Sequence, residues 1–179
     1  MMLPCPPPCD PQETEVKLRV PSAPALAPAL ATLGFTCDIP SQVDRSVLWD
    51  RAGELRAQGG ALRLRRYGDG AWLTWKGPRS PDPLLKIRPE RETAVADPDA
   101  MEAILRALGY APTLAMEKRR ELWRRAGLLA CLDQTPFGDY LELEGAREAI
   151  LPCMEALGLG PELAETRSYP ELFRLHGLA

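Results

Sequence analysis

The fold is decided by the stretch Glu13-Thr14-Glu15-Val16-Lys17-Leu18-Arg19-Val20, in which charged and apolar residues alternate. Successive side chains of an extended strand point to opposite faces, so this segment has one charged face and one apolar face. Four later segments repeat the spacing of two like charges two residues apart. They are Arg63 with Arg65, Arg88-Pro89-Glu90-Arg91-Glu92, Lys118-Arg119-Arg120, and Glu142 with Glu144.

Two interpretations of this pattern are open. Alternation is typical of half-buried antiparallel sheets, whose charged face lies in solvent. Alternatively, paired carboxylates on one strand face hold a divalent cation through oxygen ligands, and basic pairs on facing strands hold a polyanion. Five such segments, some acidic and some basic, favour the second interpretation. If all the charges turn inward, the acidic strands need the basic strands or a metal as partners.

Composition predicts one soluble globular domain. The chain has 179 residues, 45% hydrophobic and 26% charged, with a net charge of −3 and a pI near 5.3. Such a surface is not expected to attract nucleic acid or anionic membrane, so phosphate binding needs a local cluster of Lys and Arg. Residues 1–12 are interpreted as a flexible Pro-rich tail and residues 13–179 as the domain. Without a signal peptide or spanning apolar run, we expect a cytoplasmic protein.

Cysteine and histidine are poorly placed for chemistry. Cys5 and Cys9 lack a second Cys/His pair to complete a zinc site, so free thiols are expected. The single histidine, His176, lies in the C-terminal tail, which argues against histidine-based acid–base catalysis. The glycines match neither the P-loop nor the dinucleotide-binding spacing, so side chains must bind any phosphate.

Turn signals and periodicity predict roughly eight strands with two or three covering helices. Residues 35–39 are predicted as a short strand and residues 43–50 as a second one. Asp97 is predicted to cap a helix that Gly109 ends, and residues 146–157 form another helix. The predicted fold is α+β: a closed eight-stranded antiparallel β-barrel, forming a tunnel, with helices packed outside.

In this barrel the apolar faces turn outward under the helices, and the charged faces line the interior. A dry interior does not tolerate so many charges, whereas a water-filled tunnel with a metal and a highly charged ligand does. The predicted interior set is Glu13, Glu15, Lys17, Arg63, Arg65, Lys76, Arg88, Glu90, Glu92, Lys118, Arg120, Asp133, Glu142 and Glu144.

The ordered motifs resemble the CYTH superfamily of triphosphate tunnel metalloenzymes. The group includes class IV adenylyl cyclases, thiamine triphosphatases and inorganic triphosphatases. The resemblance covers the chain from residue 13 onward. Its motifs are Glu13-x-Glu15-x-Lys17, Arg63-x-Arg65, Leu73-Thr74-Trp75-Lys76-Gly77-Pro78, Arg88-x-Glu90-x-Glu92, Lys118-x-Arg120, Asp133, Gly138-Asp139-Tyr140-Leu141-Glu142-Leu143-Glu144 and Ser168-Tyr169-Pro170-Glu171-Leu172.

The resemblance implies an open-ended tunnel that works on a small-molecule triphosphate with Mg²⁺ or Mn²⁺, as a monomer or homodimer. By position, Glu13, Glu15, Glu142 and Glu144 are implied metal ligands, with Asp133, Glu90 and Glu92 as further ligands or orienting groups. Phosphates are implied partners of Lys17, Arg63, Arg65, Lys76, Arg88, Lys118 and Arg120. Of these, Lys17, Arg65 and Lys118 are expected to be catalytic.

Two features qualify this expectation. Pro89 interrupts the Arg88-x-Glu90 motif and, lacking an N–H, predicts an edge or bulge that would alter the orientation of Arg88. The chain also lacks a His-Phe pair ahead of Glu13, which the resemblance associates with the cyclases, and has no evident adenine pocket. A triphosphatase is therefore favoured over an adenylyl cyclase. The third alternative is a non-catalytic polyphosphate or nucleotide binder, against which the intact Glu pairs count.

Overall fold

The computed structural model describes residues 12–178, which form eight strands and five α-helices. The strands are β1 Gln12–Val20, β2 Thr36–Asp50, β3 Ala61–Tyr67, β4 Gly70–Lys76, β5 Lys86–Ala94, β6 Ala111–Arg125, β7 Leu128–Thr135 and β8 Gly138–Gly145. The helices are α1 Ala27–Thr32, α2 Glu54–Ala57, α3 Pro98–Ala107, α4 Arg147–Ala156 and α5 Tyr169–Leu175. Short 3₁₀ turns occupy Pro24–Leu26 and Pro161–Leu163.

The strands close into an antiparallel barrel in the order β1-β5-β4-β3-β2-β6-β7-β8, which confirms the predicted fold class. Closure occurs where β1 pairs with β8, the last strand in sequence. Closure leaves neither β1 nor β8 as a free edge, and it brings the first and last charged motifs side by side. We call the interior of this barrel the tunnel.

The apolar faces of the strands point outward and are covered by helices, as expected. Val16 and Leu18 of β1 are fully buried in a cluster that includes Ile150 and Met154 of α4. On another side, Trp49 of β2 packs in a cluster with Leu105 of α3. This arrangement leaves the opposite face of each strand, which carries the charges, to line the tunnel.

Helix α3 begins and ends as its sequence predicts. The side chain of Asp97 accepts hydrogen bonds from the backbone N–H groups of Asp99 and Ala100, at 3.0 and 2.9 Å. Gly109 follows the helix with a φ of 84°, a left-handed conformation that glycine adopts without a Cβ penalty. Residues 113–125, predicted as a strand despite their helix-forming composition, lie within β6.

The prediction of two separate strands over residues 35–50 is wrong, because β2 is continuous from Thr36 to Asp50. Its pairing with β6 shifts register between Cys37 and Ile39 and again between Ile39 and Gln42. Pro40 lies within this irregular part and cannot donate to a ladder. The proline therefore disturbs the register without ending the strand, which alternation alone did not reveal.

Pro89 does not lie on a sheet edge, since β5 pairs with β1 on one side and with β4 on the other. It lies opposite Gln12, where the ladder with β1 ends, and the ladder with β4 runs from Glu90 to Ala94. The carbonyl oxygen of Pro89 accepts a hydrogen bond from Gly77 at 2.8 Å. The missing N–H thus falls where the strand changes partners.

Residues 1–11, with most of the predicted tail and both Cys5 and Cys9, lie outside the described residues, and β1 begins at Gln12. Within residues 12–178, Cys37, Cys131 and Cys153 are free thiols. None of the helices in this part of the chain has the length and apolar character needed to cross a membrane.

Candidate functional site in the tunnel

An acidic wall of the tunnel is built by Glu13 and Glu15 of β1 and Glu144 of β8. Glu15 and Glu144 are direct partners across the two strands, so their side chains project from the same face. Both carboxylate oxygens of Glu13 accept hydrogen bonds from Lys76 Nζ, at 2.7 and 2.8 Å. Glu15 Oε1 lies 3.3 Å from Lys86 Nζ. Two of the three carboxylates are therefore ion-paired.

Glu144 is the carboxylate of this wall without such a partner. Within residues 12–178 its side chain makes no hydrogen bond or ion pair. Burial, followed by the negative charges of Glu13 and Glu15, raises the pKa of Glu144 to about 8. The Glu144 carboxyl is therefore mostly protonated at pH 7 unless a cation binds beside it.

The donor set of the acidic wall is made of oxygen atoms alone, which suits a hard divalent cation such as Mg²⁺ or Mn²⁺. Within the described residues, no group of three Asp, Glu, His or Cys side chains converges in a metal-binding arrangement. Glu13 and Glu15 are paired instead with Lys76 and Lys86.

Glu142 and Asp133, also predicted as metal ligands, lie in a basic cluster. Arg120 donates to both carboxylate oxygens of Asp133, at 2.6 and 2.5 Å, and also to Glu142. Lys118 Nζ donates to Asp133 Oδ2 at 2.9 Å. Burial alone would raise the pKa of Glu142, but Arg120, Lys118 and Lys17 hold it well below its usual range. Both acids are ionised counter charges of the cations.

Lys17 is buried beside this cluster, with Nζ 3.6 Å from Glu142 Oε1. Nζ donates to the carbonyl oxygen of Arg167 at 3.2 Å and lies 3.5 Å from the centroid of the Tyr169 ring. Burial lowers the pKa of Lys17 to about 7, against the raising effect of Glu142. The ammonium therefore titrates near neutral pH.

Arg63, Lys76 and Glu92 belong to a second network, on β3, β4 and β5. Thr74 Oγ1 donates to Glu92 Oε2 at 2.6 Å, and Arg63 Nη2 lies 3.6 Å from the same oxygen. Lys76 Nζ lies 2.7 Å from Glu90 Oε2 as well as from Glu13, so it bridges two carboxylates. The predicted carboxylates Glu90 and Glu92 thus face the tunnel as partners of Lys76 and Arg63.

Arg88 of β5 lies directly opposite Glu13 of β1, so the two side chains project from the same face of the sheet. Its guanidinium donates to the carbonyl oxygen of Gly77 at 3.0 and 2.6 Å. Gly77 directly follows the end of β4, so the Arg88 head group lies at the rim of the tunnel. Of the predicted phosphate ligands, Arg88 is thus placed at the entrance.

Helix α5 covers one end of the tunnel. The Tyr169 hydroxyl donates to Asp133 Oδ2 at 2.5 Å, and the ring centroid lies 3.7 Å from Lys118 Nζ. Phe173 packs against Leu48 and Leu114, which line the tunnel at that end. Aromatic and apolar side chains of α5 therefore lie over one end of the tunnel, which the resemblance implied to be open at both ends.

Three tunnel residues were missed by the sequence reasoning: Asp44, Lys86 and Tyr169. Asp44 is buried and accepts two hydrogen bonds from Arg65. Lys86 had a clear signal, since it is a like charge two residues from Arg88, whereas Asp44 had no such neighbour. Tyr169 belongs to a motif that was noticed but given no role.

The chain is a closed antiparallel barrel whose interior is lined by buried acidic and basic side chains. The sequence model of the CYTH domain matches residues 11–151. The chain therefore belongs to the CYTH domain family. It is 30% identical over 174 residues to "Adenylate cyclase CyaB" of Aeromonas hydrophila, a match that covers 89% of this chain and 87% of that protein.

Solved structures share the fold. A Vibrio parahaemolyticus protein described as a "putative adenylate cyclase" superposes with a TM-score of 0.82 at 20% identity, over 90% of this chain and 97% of that one. A Hippeastrum "putative adenylyl cyclase", reported to show a dominant triphosphatase activity, has a TM-score of 0.71 at 21% identity, over 92% and 96%. At these identities the likeness establishes the fold alone.

Proposed function

We propose that the protein is a metal-dependent hydrolase of triphosphates, either inorganic tripolyphosphate or an organic or nucleoside triphosphate. The observation that carries this proposal is the division of one tunnel into an acidic wall around Glu144 and a buried basic cluster around Arg120. An acidic wall suits a divalent cation and a basic cluster suits phosphate oxygens. Phosphoryl transfer asks mainly for this combination of positioning and charge neutralisation.

In this proposal Glu13, Glu15 and Glu144 hold Mg²⁺ or Mn²⁺, which neutralises charge on the bound triphosphate. Lys76 and Lys86, which pair with Glu13 and Glu15 in the structure, turn their ammonium groups to phosphate oxygens. An exchange of this kind keeps every buried charge paired before and after binding.

The basic cluster positions the phosphate chain. Arg65 and Lys118, held by buried carboxylates, present their remaining N–H groups to phosphate oxygens. Lys17, whose pKa burial lowers to about 7, is the group of this cluster that can exchange a proton near neutral pH. The chemistry thus needs no histidine in the tunnel.

Adenylyl cyclase activity is the second candidate, and the similarity to the Aeromonas protein named adenylate cyclase favours it. Triphosphate hydrolysis and adenylyl cyclisation need the same phosphate-binding residues and differ in the phosphorus atom that the nucleophile attacks. Against a cyclase, the tunnel groups described above address phosphate or metal, and recognition of a base edge needs buried hydrogen-bonding groups of its own. A non-catalytic binder would not need the acidic wall.

The test is product analysis with purified protein, given tripolyphosphate or ATP with Mg²⁺ and then Mn²⁺. We expect orthophosphate from tripolyphosphate and little or no cyclic AMP from ATP. Cyclic AMP with pyrophosphate would replace the hydrolase by the cyclase and leave the tunnel site in place. Tight metal-dependent binding without turnover of either compound would favour the binder.

A further inference from the structure

Asp44 lies inside the tunnel between two strands that carry basic residues. Its strand, β2, pairs with β3 on one side and with β6 on the other. The cross-strand partners of Asp44 are Tyr67 of β3 and Lys118 of β6. The side chain is 3% exposed. A single carboxylate is therefore enclosed between the Arg63–Arg65 and Lys118–Arg120 motifs.

The contacts of Asp44 are directed mainly at one of these cations. Arg65 donates from Nε to Oδ1 at 3.0 Å and from Nη2 to Oδ2 at 2.8 Å, a bidentate pair. Lys118 Nζ and Arg120 Nε lie farther away, at 4.0 and 3.9 Å from Oδ2. Burial raises the pKa of Asp44, but these three positive charges outweigh it and hold the pKa well below the usual range.

The guanidinium of Arg65 contacts the ring of Tyr67 as well as the carboxylate of Asp44. Its Cζ lies 4.7 Å from the centroid of the Tyr67 ring, a cation–π contact. Two of the five N–H donors are used by Asp44, and Arg65 makes no other hydrogen bond within residues 12–178. Three donors thus remain, in an orientation that Asp44 and Tyr67 determine together.

We propose that Asp44 is the positioning residue that aims Arg65 at the bound phosphate. The proposal rests on the triphosphate-binding function proposed above. In this role Asp44 does not touch the substrate and keeps its bidentate pair while the triphosphate is bound. Its negative charge lowers the total positive charge of the tunnel, but the fixed orientation of Arg65 contributes more to binding.

The substitution Asp44→Asn separates these two effects. The Asn oxygen still accepts one hydrogen bond from Arg65, but its NH₂ group meets the second guanidinium donor, so the bidentate pair is lost. If Asp44 acted only as a counter charge, its removal would strengthen binding of a polyanion. If it positions Arg65, binding of tripolyphosphate weakens, by about tenfold to a hundredfold, as when an orienting partner is removed.

The matched control is an Arg–carboxylate pair between β2, the strand of Asp44, and its other neighbour β6. Glu117 of β6 accepts a hydrogen bond from Arg45 Nε at 2.8 Å, and both side chains are more than half exposed on the outer face. Glu117→Gln makes the same chemical change to an Arg–carboxylate pair outside the tunnel. We expect it to leave the binding of tripolyphosphate unchanged.

The experiment is calorimetric titration of the full chain with tripolyphosphate and Mg²⁺, using wild type, D44N, R65A, the double variant and E117Q. We expect D44N to weaken binding and to have little further effect in the R65A background. A purely structural role predicts equal losses in both backgrounds, which would overturn the proposal. Binding by D44N as tight as that of wild type, or tighter, would also overturn it.

Arg65→Lys tests the proposal if D44N does not fold. Lysine keeps the charge beside Asp44 but cannot form the bidentate pair. We expect R65K to lose nearly as much affinity as R65A, and retention of wild-type affinity would overturn the proposal. Absence of tripolyphosphate binding by the wild type itself would instead overturn the proposed function, and this inference with it.

Discussion

Glu15 of β1 and Glu144 of β8 lie directly opposite each other on the inner face of the barrel. Glu15 pairs with Lys86, whereas Glu144 has no ion pair within residues 12–178 and a pKa raised to about 8. Closure of the barrel thus joins two carboxylates from opposite ends of the domain. Burial, followed by the charges of Glu13 and Glu15, favours the protonated form of Glu144 and makes the acidic wall sensitive to pH.

We predict that the metal-free protein becomes less stable as the pH rises from 5 to 7. The ordinary pKa of Glu is 4.5, so in this range the folded state keeps a proton on Glu144 that the unfolded state has released. Stability is therefore highest at low pH in this window and falls as the pH rises. We expect the free energy of unfolding to fall by about 1–3 kcal/mol across the two pH units.

Urea unfolding with a chelator at pH 5, 6 and 7 measures this slope. Glu144→Gln has no proton to lose, so its slope should be shallower than that of the wild type. Parallel slopes for the two proteins would show that Glu144 is not the group responsible.

Lys76→Met is expected to shift two affinities in opposite directions. Lys76 Nζ lies 2.7 Å from both Glu13 and Glu90, so its removal frees these carboxylates for a cation. We predict tighter binding of Mn²⁺ alone and about tenfold weaker binding of tripolyphosphate. Calorimetry measures the first with Mn²⁺ alone and the second with tripolyphosphate in the presence of Mg²⁺. Arg45→Met, on the outer face, serves as the control, and a loss of both affinities would argue against competition between Lys76 and the metal.

Tyr169→Phe is expected to destabilise the protein by about 2 kcal/mol, the usual contribution of a hydrogen bond to a charged group. The variant loses the hydrogen bond to Asp133 but keeps the ring beside Lys17 and Lys118. Urea unfolding measures the loss. Tyr110→Phe is the matched control, because the Tyr110 hydroxyl has no hydrogen bond within the described residues. Equal effects of the two substitutions would contradict a specific role for Tyr169 at the tunnel end.

The barrel and its inner face were predictable because side chains alternate between the two faces of a strand. Residues two apart therefore point the same way, and each charged alternation marks one face. Asp44 was missed because it is a single charge with no like charge two residues away, whereas Lys86 has the same spacing from Arg88 as the other pairs and was overlooked. The continuity of β2 through Pro40 was missed because a proline normally marks an edge or an end.

The ionic partners within the tunnel could not be predicted from parity. Glu142 meets Arg120 because β6, β7 and β8 are neighbours, and Glu13 meets Lys76 across β5. These contacts depend on strand order, register and side-chain rotamers, which alternation does not specify. The position of Tyr169 over one end depends in the same way on where α5 packs, because the sequence of a short amphipathic helix does not specify the surface that it packs against.

The central claim is that the tunnel binds a triphosphate together with a divalent metal held by its acidic wall. Calorimetric titration with tripolyphosphate, in Mg²⁺ and then in excess chelator, tests it most directly. The account predicts tight binding with Mg²⁺ and a large loss of affinity in chelator, because Lys76 and Lys86 then remain paired with Glu13 and Glu15. Equal affinity under both conditions would contradict the claim.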